Sequence, residues 1–136
     1  MSKDRKLRTN RFRKAVPSLP VRDCVRALRY YCDVLGFKKY FDDAILGVER
    51  TMFAGVSRNT CSLVLDQHDR QKCRVGINVR VDDVDSLWRE YRSRGVKILF
   101  PPSNQVWGMR VMAIADLDGH ELHFSAPIAK RTRRAR

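Results

Sequence analysis

Side chains with chemistry to offer are few in this 136-residue chain: three histidines, four cysteines and one dense segment, Asp116-Leu117-Asp118-Gly119-His120-Glu121-Leu122-His123-Phe124, with Trp107-Gly108-Met109-Arg110 shortly before it. Cys24, Cys32, Cys61 and Cys73 form no CxxC pair, and no histidine stands at zinc-finger spacing from them. Cys24 and Cys32 are eight residues apart in a helical stretch, roughly 12 Å along the axis and too far for a disulfide. Four reduced, mostly buried thiols are therefore expected, which suits a cytoplasmic protein. His120 and His123 are three residues apart on an expected strand, so they point to opposite faces, and His68 lies in a polar connector. Arg110 can contact an anionic or carbonyl-bearing ligand, or pair with a neighbouring acid such as Asp116. Cys61 with His123 is the nearest approach to a nucleophile–base pair, but no spacing brings the two together, so no catalytic residue is assigned.

The elements that must position these groups come from an internal repeat. Residues 21–37 read VRDCVRALRYYCDVLGF and residues 81–96 read VDDVDSLWREYRSRGV. At an offset of 60, Val21 matches Val81, Asp23 matches Asp83, Leu28 matches Trp88 and Tyr31 matches Tyr91, with Gly36 and Gly95 aligned after a one-residue slip. Asp23 and Asp83 suit helix N-caps, and the two glycines suit the left-handed position that ends a helix. Cys24, Ala27, Leu28, Tyr31 and Leu35 share one helical face, as do Val84, Leu87, Trp88 and Tyr91; these faces, Trp88 included, are expected in the core. Strands are expected at 16–22, 37–41, 45–53 and 60–66 in the first copy, and at 74–81, 96–100, 109–115 and 121–126 in the second. Asp42-Asp43, Arg58-Asn59 and Asp118-Gly119 mark turns, and the loop 101–106 is expected to be a mobile rim. The outcome is an α+β fold of two tandem βαβββ modules, about 16–66 and 74–126, forming a single domain over 16–127. One helix covers one face of each sheet; the other face must be buried elsewhere or line a cavity.

Composition agrees with a globular chain: 43% of residues are hydrophobic. No apolar run approaches the roughly 18 residues of a membrane span, and the N-terminus lacks the apolar stretch of a secretory signal, so neither membrane nor export is expected. The net charge of +13 is concentrated at the ends. Residues 1–15 hold seven Lys/Arg against one acid and residues 128–136 hold five against none, leaving sixteen bases against fourteen acids between them. Such basic tails can attract nucleic acid. Solvated, disordered ends are the favoured reading, because Phe12 is the sole aromatic there to stack on a base.

A duplicated βαβββ unit that opens with VRDCVRALRYYCDVLGF, continues with INVRVDDVDSLW and closes with WGMR and DLDGHELHF is similar to the glyoxalase/bleomycin-resistance (vicinal oxygen chelate) superfamily, in particular its bleomycin-resistance branch. The resemblance covers about residues 16–127. It implies a sheet curved round a cavity, with two chains of a homodimer usually contributing to each pocket. Metal enzymes of the class hold a divalent ion with His, Glu or Gln. Carried over by position, those ligands fall at Val16, near Ser62–Val64, at Gly76 and at His123, so one of four can bind a metal. Zn²⁺, Ni²⁺ or Fe²⁺ needs three or more protein groups. No metal and no cofactor are expected, and the acid–base chemistry that depends on the metal lapses with it. The resemblance thus points to a metal-free protein that binds an unknown small molecule, antibiotic sequestration being one form. A divergent lyase, isomerase or dioxygenase is the alternative, and a nucleic-acid-associated protein working through its tails is the third. Drug-binding members tend to be acidic, so a core of near-neutral charge argues against cationic bleomycin as the ligand. Expected ligand contacts are Trp107, Arg110, His123, Phe41, Phe53 and Phe100; for His123 a satisfied core histidine, and for the aromatics ordinary packing, are the competing readings.

Overall fold

The computed structural model describes residues 9–128, so what the sequence suggests for 1–8 and 129–136 lies outside the described residues. Chain order is β1 (Ser18–Val21), α1 (Cys24–Asp33), β2 (Lys38–Asp42), a 3-10 turn (Asp43–Leu46), β3 (Phe53–Arg58) and β4 (Cys61–Gln67). The second module repeats the plan with β5 (Gly76–Arg80), α2 (Val84–Ser93), β6 (Lys97–Asn104), β7 (Met109–Ala115) and β8 (Glu121–Pro127). Each module forms its own four-stranded sheet, in the orders β1-β4-β3-β2 and β5-β8-β7-β6. The first strand of each module lies parallel to its last, and the other pairings are antiparallel.

The two helices start at Cys24 and Val84, in step with the sequence repeat. Asp23 accepts the Arg26 N–H and Asp83 accepts the Ser86 N–H, each at 3.1 Å, so both caps satisfy donors that a helix start leaves free. Gly36 takes a left-handed backbone (φ +84°), where a side chain would also sit 2.6 Å from Arg58 Nη1.

Strand alternation sends Leu63 and Leu65 of β4, and Leu122, Phe124 and Ala126 of β8, toward the helices. These residues join Leu19, Val21, Ala27, Tyr31, Leu35 and Tyr91 in one continuous buried cluster drawn from both modules. Each fully buried leucine contributes about 1.5–3 kcal/mol. Two tyrosines at equivalent positions of the repeat cross between the modules. The Tyr31 hydroxyl donates to Asp116 at 2.7 Å, and the Tyr91 hydroxyl donates to the Leu35 carbonyl at 2.8 Å. Burial, followed by the Asp116 carboxylate, pushes the Tyr31 phenol well above its ordinary range; burial pushes Tyr91 up to about 12. Both therefore work as neutral donors.

Arg58 clamps the same seam. Its Nη1 donates to the Leu35 carbonyl at 2.8 Å and to Glu90 at 2.9 Å, while Nη2 donates to the other Glu90 oxygen at 2.9 Å. Arg58→Ala is expected to cost about 2 kcal/mol in a urea titration, because it strands a half-buried carboxylate and a carbonyl together. A change below about 0.5 kcal/mol would mean that the clamp carries no net stability.

The structure differs from several sequence expectations. The strand expected at 45–53 is the 3-10 turn and a loop; β3 begins only at Phe53. Asp42 caps that turn through the Ala44 N–H at 3.0 Å, and Gly47 ends it with a left-handed backbone. Residues 101–104, expected in a mobile rim, continue β6 as an edge strand with register shifts, a place where proline is tolerated. All four cysteines are free, yet only Cys24 is fully buried and Cys73 is exposed. Trp88 is only partly buried, with the Arg92 guanidinium 4.2 Å over its ring.

Candidate functional site

Because both helices lie on one side of their sheets, each sheet keeps a face that no helix covers among the described residues, and register decides which residues occupy it. On the first sheet, Ser18, Ser62 and Val64 lie opposite in sign to the buried Leu63 and Leu65, and the pairings Phe53–Asp66, Gly55–Val64, Phe41–Gly55 and Lys38–Ser57 bring those residues to the same face. Phe41 and Phe53 meet there at 5.4 Å between ring centres, and Tyr40 meets Phe41 edge-on at 5.1 Å. Gly55 makes room for this group: a Cβ at that position would sit 2.7 Å from Phe41 Cδ2 and 2.8 Å from Tyr40 Cζ. Lys14 donates to Ser62 at 3.0 Å on the same face.

On the second sheet the open face carries Glu121, His123 and Ser125 of β8, with Asn78 and Arg80 of β5 and Phe100 of β6 in register beside them. Phe100 packs edge-on against the His123 ring at 5.9 Å across the small Ala113. His123 Nε2 lies 3.0 Å from Glu121 Oε1, and the imidazole is about one-third exposed. His123 is thus not a core residue, whereas His120 is fully buried. The two histidines do point to opposite layers, as their spacing predicts.

Six residues are expected to contact a ligand, and the structure distributes them over four places. Phe41 and Phe53 share the first open face; Phe100 and His123 share the second. Trp107 stands at the tip of the β6–β7 hairpin beside Val106, 67% exposed. Arg110 pairs across from Ala126 and so faces the helix side. It donates through Nε and Nη2 to Asp85 at 2.8 and 2.9 Å, and through Nη1 to Asn104 at 3.0 Å. Its acid is therefore Asp85, at the start of α2, and not Asp116, which is occupied by Tyr31 and by the N–H groups of Asp118 and His120. The Arg110 guanidinium, as hydrogen-bond donor, holds the Asp85 carboxyl below the usual carboxylate range. A group whose folded pKa is depressed stabilises above that range and ceases to do so as pH falls through it. Arg110→Ala is accordingly expected to cost about 0.5–1 kcal/mol at pH 7, the pair being one-third exposed, and the gap to the parent protein should narrow as pH falls through and below the usual carboxylate range. Thermal unfolding of the two proteins across that range checks this; a gap that persists at low pH would point to packing instead.

Gly55, Asn78, Arg80 and Ser125 also shape the open faces and were not singled out from sequence. Alternation against Leu63–Leu65 and Leu122–Phe124 is the signal that places them. Cys61 and His123 are not brought together: Cys61 aligns with Leu63 on the helix side of the first sheet, and burial pushes its thiol up.

The positions that metal enzymes of this architecture would use do not fit an ion. Gly76 has no side chain, Val16 and Val64 are aliphatic, Ser62 is engaged by Lys14, and His123 alone can ligate. Among the described residues, no three of His, Cys, Asp and Glu converge on one point. No described helix is long and apolar enough to cross a membrane.

Two βαβββ modules with uncovered, aromatic-bearing faces define a protein class built on paired modules. The chain belongs to the Glyoxalase/Bleomycin resistance protein/Dioxygenase superfamily, whose model matches residues 11–124. Among solved structures it is similar to the bleomycin-binding protein of bleomycin-producing Streptomyces verticillus, in complex with copper(II)-bleomycin, at 27% identity and TM-score 0.73, covering 88% of this chain and all of that one. The bleomycin resistance determinant encoded on transposon Tn5 shares 25% identity at TM-score 0.73, over 87% and 100% of the two chains. A superfamily member from Sphaerobacter thermophilus shares 27% at TM-score 0.68, over 83% and 97%. No curated protein sequence matches the chain. The structural likeness thus runs to the bleomycin-resistance-like branch.

Proposed function

We propose that this chain is a metal-free binder of a small, partly apolar molecule. It works as a homodimer in which the first open face of one chain and the second open face of its partner enclose each pocket. The observation that carries the reading is the make-up of the two faces. Each places an aromatic group, Phe41 with Phe53 or Phe100 with His123, among polar side chains, with no helix over it among the described residues. That mixture of apolar walls and a few oriented polar groups is what small-molecule sites use. Solved neighbours that bind bleomycin support the class of activity. Charge argues for a different ligand here: Lys14, Lys38 and Arg80 against Asp66 and Glu121 give faces better suited to an uncharged or anionic molecule than to a cationic drug.

Anilinonaphthalene sulfonate, a partly apolar anion, is a suitable probe. Sedimentation equilibrium is expected to give a dimer, and Phe53→Ser and Phe100→Ser are each expected to abolish tight probe binding. Mixing the two variants should restore about one quarter of the pockets, because half the dimers are then mixed and each of those has one intact pocket. A monomer, or a mixture that restores nothing, would rule out the shared pocket. Stoichiometric metal retained by the purified protein would rule out the metal-free reading.

A further inference from the structure

The seam between the modules carries two clefts on the helix side, with Arg80 at the end of β5 bordering both the first cleft and the second open face. One, about 480 Å³, lies between the β3–β4 turn and the start of α2; the other, about 610 Å³, lies between the β7–β8 turn and the start of α1. They are equivalents under the repeat: Asp82, Glu90, Arg58 and Asn59 in the first correspond, 60 residues apart, to Arg22, Tyr30, Asp118 and Gly119 in the second. The fold therefore supplies an internal control for what each cleft is made of.

Their charges are opposite. The smaller cleft sets Asp82, Asp83 and Glu90 against Arg58 and Arg80. The larger gathers Arg22, Lys72, Arg74 and Lys97 around two acids that are already engaged. Asp116 accepts from Tyr31 and from two backbone N–H groups, and Asp118 accepts from the Arg22 N–H at 2.9 Å and lies 3.2 Å from its Nε. Lys72, Arg74 and Lys97 form no salt bridge among the described residues, and all three are exposed. Arg74 lies against the β7–β8 turn, its Nε 3.1 Å from where a Cβ of Gly119 would be. Three cations without an ion pair among the described residues thus line this cleft, whereas its counterpart in the repeat holds three acids against two bases.

We infer that this basic cleft is an anion site that takes a phosphorylated small molecule of about nucleotide size. Its volume falls in the range of small-ligand sites, and guanidinium and ammonium groups together match phosphate oxygens. The cleft is separate from the pocket between open faces, so either can fail without the other.

The test is calorimetric titration of the full chain with inorganic pyrophosphate, where one equivalent per chain is expected. Arg74→Glu with Lys97→Glu should weaken binding at least about tenfold. Arg11→Glu with Arg13→Glu, an equal change of charge in the basic N-terminal segment, should weaken it less than about twofold. The Gly95 and Gly119 amide resonances should shift on titration, and those of Gly47 and Gly108 should not. All four substituted residues are exposed, so the variants should keep the parent's circular dichroism; Lys72→Glu alone gives an independent check. Equal losses from the two double variants, no loss from the cleft variant, or binding of single-stranded oligonucleotide without binding of pyrophosphate would each overturn the inference.

Discussion

Replacing His120 by alanine is expected to lower the unfolding free energy by about 3 kcal/mol in a denaturant titration. The imidazole is fully buried and uses both nitrogens. Nδ1 accepts the Val75 N–H at 2.9 Å, and Nε2 lies 2.6 Å from the Pro20 carbonyl, to which it must donate. One side chain thereby ties the approach to β5 to the first strand of the other module. Alanine would leave a part-buried N–H and a part-buried carbonyl without the imidazole's hydrogen bonds and open a void at the fully buried ring position. Asparagine can present an oxygen near the Nδ1 position, and glutamine can reach toward Nε2. Each should recover part of the loss, about 1 kcal/mol, by serving one of the two groups. If alanine costs less than about 1 kcal/mol, or if neither amide improves on it, the bridge is not what holds this corner.

Gly55→Val should weaken anilinonaphthalene sulfonate binding about thirtyfold, a loss of about 2 kcal/mol. The valine methyls would enter the space now held by the Phe41 ring, with Tyr40 close behind it. Both rings must then swing off the sheet, and the Phe41–Phe53 contact at 5.4 Å is lost. Overpacking of this kind costs about 1–3 kcal/mol of stability, so the variant should still fold, and retained circular dichroism separates lost binding from lost structure. A folded Gly55→Val protein that binds the probe as tightly as its parent would remove the aromatic group of the first sheet from the pocket.

How legible this molecule is from sequence varies by element. Both helices were readable because three signals agreed: an aspartate cap, apolar residues at helical spacing and a glycine stop, all repeated 60 residues later. β3 was not. Residues 45–53 are rich in strand formers, but the Asp42 cap turns the chain into a 3-10 turn, and the true strand holds Gly55 and Ser57, poor strand formers chosen for the open face. Pro101 and Pro102 looked like loop; they are tolerated because β6 is an edge strand. In the candidate site, alternation was enough to separate His123 from His120. It could not orient Arg110, because its direction depends on pairing with Ala126 and on the distance to Asp85, 25 residues away in sequence. Nor could spacing reveal that His120 would bridge to Pro20, a contact across 100 residues.

The crossed phenols have a consequence for how the two halves live together. Tyr31 satisfies an acid that belongs to the second half, and Tyr91 satisfies a carbonyl that belongs to the first. Cut between Gln67 and Gly76, each fragment would keep its own sheet and helix but lose the group its sister holds, so neither piece should be stable until the other is present. The duplicated copies have become obligate companions on one tether, and a substitution in either is answered, or punished, in the other.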